Sequence, residues 1–209
     1  MFTKKIILQE IEIWDVNSAV EGLLYTEKVG SSNLSRPTKQ RHIVFQKLNI
    51  SFSELDFAKL KGENSFDLKR FKEFSIIDTD YLFNILSKQV QFDTLPQVNI
   101  TEIIYPGANP HTDTWQSAIN FYFDAEDDET FFWKEINPTD SQKGLVSYDA
   151  INLKKIGSFK ANKGDCYLLD VGNSIHSVKM YTPNTTRRIL RLFWYELSFE
   201  QALQNLKFL

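Results

Sequence analysis

The sequence predicts a mainly β protein with a few helices (α+β), its second half built as an antiparallel sandwich or barrel. Three observations predict this class. From residue 97 onward, short runs rich in Val, Ile and aromatic residues recur at close spacing, divided by Gly, Pro and Asn turns. Helical periodicity is confined to residues 53–90 and to the last dozen positions. With 209 residues, 42% hydrophobic and 14% aromatic, the chain can bury a real core and reads as one domain over 1–209.

Taken in order, residues 6–14 end in the alternation Glu10-Ile11-Glu12-Ile13, which predicts a strand with one wet face. Residues 28–41 are polar, with Gly30 and Pro37, and predict a loop. His42 has no carboxylate at metal-motif spacing and reads as structural. Ser53-Glu54-Leu55-Asp56 looks like a capping box with Asp for Glu, opening a short helix that ends near Gly62. Leu68, Phe71 and Phe74 fall at roughly one-turn intervals and predict a second helix over 65–74. Asp78-Thr79-Asp80 offers caps for a third, in which Leu82, Ile85, Leu86 and Gln89 keep the i, i+3, i+4, i+7 rhythm. Residues 1–95 thus read as a mixed α/β elaboration. The core spans 97–196. Its strands are expected at 97–105 (ended by Pro106-Gly107), 117–123, 130–133, 155–159, 166–169, 175–180 and 188–195, with a loop at 137–150. In the second strand Ile119, Phe121 and Phe123 share one face, and Ala118, Asn120 and Tyr122 the other. Ser198 to Gln201 fits an S-x-x-Q cap for a terminal helix over 198–207.

Composition removes several function classes. A net charge of −3 and the lack of a basic run argue against a nucleic-acid partner. The single cysteine, Cys166, rules out an intramolecular disulfide and a Cys-rich zinc site. The apolar run after Lys4-Lys5 is too short for a secretory signal, and no stretch is long enough to span a membrane. The expectation is a cytoplasmic protein with no membrane partner. N-x-S/T sequons at Asn33, Asn49, Asn99 and Asn184 carry no weight without an export signal.

The chemistry concentrates at His111-Thr112-Asp113. An H-x-D turn places an imidazole nitrogen and a carboxylate oxygen where both can reach one metal ion, and His176 completes three ligands. Two His and one carboxylate with the remaining positions open is the arrangement of non-haem Fe(II) oxygenases. The tripeptide alone is also read as a loop histidine with Asp113 turning the backbone. Period two along the last strand puts Arg188, Leu190, Leu192 and Trp194 on one face, and Arg187, Ile189, Arg191 and Phe193 on the other. A lone Arg188 on an otherwise apolar inner face must be paired, either with a small dicarboxylate or with an internal acid.

The order H-x-D, about 60 residues of strands, a histidine and then an arginine about 12 residues on resembles the Fe(II)/2-oxoglutarate-dependent dioxygenases, closest to their prolyl-hydroxylase-like and phage-type branches. Pro106-Gly107 ahead of the motif, Lys163-Gly164-Asp165 before the strand preceding His176, and the Arg188-to-Trp194 strand carry the likeness, which covers 97–196. The resemblance implies a double-stranded β-helix (jelly-roll, cupin-like) core and His111, Asp113 and His176 as Fe(II) ligands. It also implies Arg188 on the distal carboxylate of 2-oxoglutarate, with Tyr105 as a second donor. Asn120 is a further candidate co-substrate contact, and Arg187 is the rival to Arg188. Implied too are O2 as co-substrate, succinate and CO2 as products, and hydroxylation of a C–H bond in an unidentified substrate. Trp115, Phe131 and Trp133 are candidates for its pocket, with core packing as the other reading. The alternatives are a catalytically silent cupin-like binding module and a hydrolase or isomerase using another divalent metal.

Overall fold

The computed structural model describes residues 43–125, 127–137 and 146–209. The strand expected at 6–14, the loop at 28–41, His42 and most of the 137–150 loop lie outside the described residues. Those described belong to one compact unit spanning 41–209. In chain order its elements are β1 (Phe45–Lys47), β2 (Gly62–Leu68), β3 (Phe71–Ile76), α1 (Asp80–Leu86), β4 (Val90–Phe92), β5 (Gln97–Ile104), β6 (Gly107–Thr112), β7 (Ser117–Asp124), β8 (Asp128–Glu135), β9 (Val146–Ser147), β10 (Leu153–Phe159), β11 (Cys166–Asp170), β12 (Ile175–Met180), β13 (Thr186–Trp194), α2 (Phe199–Gln204) and β14 (Leu206–Phe208).

Two antiparallel sheets face each other, ordered β1-β11-β7-β13-β5-β3-β2 and β10-β8-β12-β6-β9. Their central quartets are β11-β7-β13-β5 and β10-β8-β12-β6. Except between β8 and β10, each of these eight strands passes to the opposite sheet from its predecessor. That winding is a double-stranded β-helix, the jelly roll. The sandwich forms because the strands alternate: Ala118 and Tyr122 of β7 pack between the sheets with Phe132, Leu169, Val178 and Ile189.

The opposite face of the larger sheet is also buried. Ile119, Phe121, Leu168, Leu190, Leu192 and Trp194 lie under a layer made by residues 48–60, α1, β4, α2 and β14. Helix α2 starts as expected but ends at Gln204, short of the expected 207, and Leu206–Phe208 form β14 instead. The Ser198 hydroxyl accepts from Gln201 N–H while the Gln201 side chain reaches back to the Ser198 N–H, a reciprocal cap.

Two further local expectations are corrected. Residues 65–74 form no helix; β2 and β3 are a hairpin in which Leu68 pairs with Phe71, extending the larger sheet. The helix expected after Ser53 shrinks to one 3-10 turn, Phe57–Lys59, capped by Asp56. The first core strand ends before Pro106-Gly107 as expected, but a strand absent from that reading follows: after the cis Tyr105–Pro106 bond, β6 opens on Gly107. Its φ of +113° and a Cβ position only 2.1 Å from the Val178 carbonyl oxygen leave room for glycine alone.

Candidate metal centre

The centre is built by strand register. His111 in β6 stands directly opposite His176 in β12, so two imidazoles from adjacent strands lie side by side with ring centroids 4.4 Å apart. Asp113 follows two residues after His111 and therefore faces the same way. Its N–H donates to the Val171 carbonyl at 2.9 Å, tying the end of β6 to the loop before β12. That loop packs close because Gly172 is there: a Cβ would sit 2.6 Å from the Trp115 carbonyl oxygen. Asp170 pins the turn, accepting from Ser174 Oγ at 2.8 Å and Asn173 Nδ2 at 3.2 Å.

Hydrogen bonds to backbone carbonyls orient both rings. His111 Nδ1 meets the Asn109 carbonyl at 2.6 Å, and His176 Nδ1 meets the Ser174 carbonyl at 3.1 Å. With Nδ1–H donated, each ring keeps its Nε2 lone pair for a ligand. Both Nε2 atoms face Asp113: His111 lies 3.4 Å from Oδ1 and His176 3.7 Å from Oδ2. Ligand atoms on one face of a first-row ion, with bonds near 2.1 Å, stand roughly 3 Å apart. The three side chains, all within 4.8 Å by their ligand atoms, fit such an ion with a small contraction. Asp113 Oδ2 is buried without a hydrogen-bond partner, as an atom awaiting a cation would be.

Charge states agree with that role. Burial pushes the Asp113 carboxyl up, but His176, His111 and Arg191 outweigh it and hold it at about 2. Burial and the neighbouring His111 hold His176 down at about 4, so its ring is neutral at pH 7. Burial pulls His111 down, but Asp113 and the Asn109 carbonyl outweigh it, and His111 stays above its usual value. A metal at this site displaces the His111 proton.

The triad opens on a small cavity of about 30 Å³ between the sheets, walled by Ile103, Leu169, Val178 and Ile189. Two guanidiniums line it. Arg187 is 1% exposed; its Nη2 donates to Thr130 Oγ1 at 2.9 Å and its plane lies 4.5 Å from the Tyr122 ring centroid. Its Nη1 is 3.1 Å from Asp128 Oδ1, yet Nη1, Nε and both Asp128 oxygens lack hydrogen-bond partners. Arg191 donates from Nε to Asn120 Oδ1 at 3.1 Å, with Nη1 3.6 Å from Glu73 Oε1. Its charge acts on all three triad residues.

Of the residues singled out from the sequence, His111, Asp113, His176, Asn120 and Arg187, the rival to Arg188, line this one cavity. Arg188 does not. It points outward, with a half-exposed side chain paired to Glu102 at 3.0 Å and Asp124 at 3.7 Å. The apolar face it shares with Leu190, Leu192 and Trp194 is covered by the helical layer, so the apolar stripe marked the wrong side of the sheet. Tyr105 lies outside the cavity lining, is 38% exposed, and contributes its N–H to the Thr185 carbonyl. Phe131 and Trp133 stack on each other, with centroids 5.7 Å apart, on the far face of the smaller sheet. Sequence reading missed Arg191, Glu73 and Thr130. The available signal was two arginines, 187 and 191, on one face of a central strand, since two buried cations demand partners.

No protein-family model matches the sequence, and no curated protein does. Solved structures give partial backbone likenesses. E. coli ycfD is 10% identical over 69% of this chain and 39% of its own, with a TM-score of 0.42. Vicilin from hazelnut, Corylus avellana, is 12% identical over 64% of this chain and 31% of its own, at 0.38. Hydroquinone 1,2-dioxygenase PnpCD, in complex with Cd2+ and 4-hydroxybenzonitrile, is 16% identical over 50% of this chain and 60% of its own, at 0.36. The chain thus spans less than two thirds of each of these proteins. The jelly-roll assignment and the metal centre rest on the chain's own topology and distances.

Proposed function

We propose that the chain is an Fe(II)- and 2-oxoglutarate-dependent dioxygenase that hydroxylates an unactivated C–H bond of a peptide or protein side chain or of a small metabolite. The observation that carries this is the pair of buried guanidiniums, Arg187 and Arg191, on the same cavity as a two-histidine, one-carboxylate ligand set. A structural metal site needs no anion receptor beside it. Fe(II) bound there supplies O2 activation and C–H cleavage.

The chain's own residues do the rest. His111, Asp113 and His176 would hold the ion, next to the cavity that would take a 2-oxo acid and O2. Arg191, whose charge reaches the triad, suits the end of the co-substrate at the metal. Arg187 sits deeper. Thr130, its partner, is one inward-facing position along β8 from Phe132, which pairs with His176. That step is about 7 Å, a reach suited to the far carboxylate of a five-carbon diacid. The Arg187 Nε is unpartnered and its Nη1 meets Asp128 without a hydrogen bond, so the planar guanidinium can take that carboxylate in a two-bond fork. The apolar walls and the Tyr122 ring keep water out.

The Arg187–Asp128 contact favours a second reading, in which the arginine is internally satisfied and the chain is a silent metal-binding module. Succinate formation separates the two. Wild-type chain loaded anaerobically with Fe(II), then given 2-oxoglutarate and O2, is expected to release succinate, and His176→Ala is not. Metal bound without succinate or 2-oxoglutarate binding supports the silent module instead.

A further inference from the structure

Among the described residues the larger sheet extends past the smaller one on its β5-β3-β2 side, where the smaller sheet ends at β9 beside β6. A groove of about 490 Å³ lies there, lined among others by Phe66, Glu73, Gln97, Asn99, Trp115 and Tyr195. Its Glu73 and Trp115 wall backs onto Arg191 of the metal cavity. Glu73 faces Arg191 at 3.6 Å, and the Trp115 ring centroid is 5.2 Å from the same guanidinium.

Resting on the oxygenase reading, we propose that this groove receives the oxidised substrate and selects one bearing an alkylammonium or guanidinium group, held by Glu73 and the Trp115–Tyr195 aromatic surface. Among the described residues that line the groove, Glu73 is the one charged side chain. Its contact with Arg191 is too long for a hydrogen bond, and Oε1 is buried without a hydrogen-bond partner. Trp115 Nε1 is likewise unpartnered. Trp115, Phe193 and Tyr195 pack together with centroids 4.7 to 6.4 Å apart, and Tyr195 and Phe66 are 49% and 43% exposed, so π faces are open to a ligand. A carboxylate whose Arg191 partner stands 3.6 Å off, beside partly exposed π faces, attracts a further cation and repels an anion. The loaded centre adds to this. A divalent metal, a dianionic co-substrate and Asp113 leave one negative charge in excess, while the Arg187–Asp128 and Arg191–Glu73 pairs are each neutral.

The test is calorimetric binding to the full chain, with and without Fe(II) and 2-oxoglutarate under anaerobic conditions. The probes are L-lysine, L-arginine, L-norleucine and L-glutamate, with the tripeptides Gly-Lys-Gly and Gly-norleucine-Gly. Succinate release is followed in parallel. The cationic probes are expected to bind more tightly than norleucine or glutamate and to raise succinate release. Glu73→Gln is expected to weaken cation binding about ten-fold or more while leaving norleucine binding little changed, and Glu73→Asp to recover part of it. Stronger response to the tripeptide than to free lysine assigns the side chain of a peptide; the reverse assigns a free amino acid. Cationic probes binding no better than norleucine, or Glu73→Gln keeping the cation preference, overturns the proposal. Cation preference without any 2-oxoglutarate dependence leaves this inference standing and removes the oxygenase reading instead.

Discussion

Asp113 shows most plainly what single residues contribute. Its carboxylate lies between two imidazoles, one oxygen toward each, with no hydrogen bond to occupy Oδ2. A cation there relieves a buried charge that the metal-free protein balances only by proximity. His176→Ala is expected to abolish the metal-induced rise in melting temperature seen with Fe(II), or with Co(II) as an air-stable probe. An undiminished rise would place the ion elsewhere. The pH dependence follows from His111, whose folded-state value lies above 6.5. In the metal-free protein a raised histidine gives stability that is fully present below its unfolded value and is lost as pH rises through the folded one. Metal binding needs the ring neutral, so it runs the other way. The metal-induced melting shift is therefore expected to grow as pH rises through the raised His111 titration and to shrink in acid, with His176 adding to the loss near 4. A shift that is flat across that window would contradict the assignment of His111 as a ligand.

At the scale of elements, β6 decides whether the centre exists, because it carries His111 into register with His176. Gly107→Ala is expected to cost about 3 kcal/mol or more, combining a positive φ with a clash against the β12 backbone. Chemical denaturation checks the cost, and metal affinity should fall with it, since the clash would push β6 from β12. The sequence made some of these elements legible and hid others. β5, β7, β12 and α2 announce themselves through β-branched runs, alternation and a capping box. β6 does not: Gly-Ala-Asn-Pro-His-Thr has almost no strand propensity, and its pairing is imposed by neighbours on both sides. The hairpin over 62–76 was hidden differently. Leu68, Phe71 and Phe74 mimic a helical period only because a two-residue turn separates the first from the other two.

On the scale of the whole molecule, the larger sheet is buried on both faces, and this is what the sequence could not display. Alternation along β13 shows two faces but not which one meets the site. The apolar face, with Leu190 and Leu192, is covered by the helical layer. The face with two arginines lines the cavity. Functional polarity therefore sits where a simple core rule expects apolar residues. Leu190→Ala, at a fully buried position on the covered face, is expected to cost about 2–5 kcal/mol of stability. Metal affinity should change little, and a large loss of affinity at unchanged stability would contradict the two-faced layout. No helix among the described residues is long and apolar enough to cross a membrane.

The most direct measurement is anaerobic titration of 2-oxoglutarate into Fe(II)-loaded and metal-free chain, comparing wild type, Arg187→Met and Arg188→Ala. Metal-dependent binding is expected in wild type, weakened ten-fold or more by Arg187→Met. Arg188→Ala should stay within about two-fold of wild type, as an exposed ion pair predicts. Binding that ignores the metal, or that is lost with Arg188 and kept without Arg187, would contradict it.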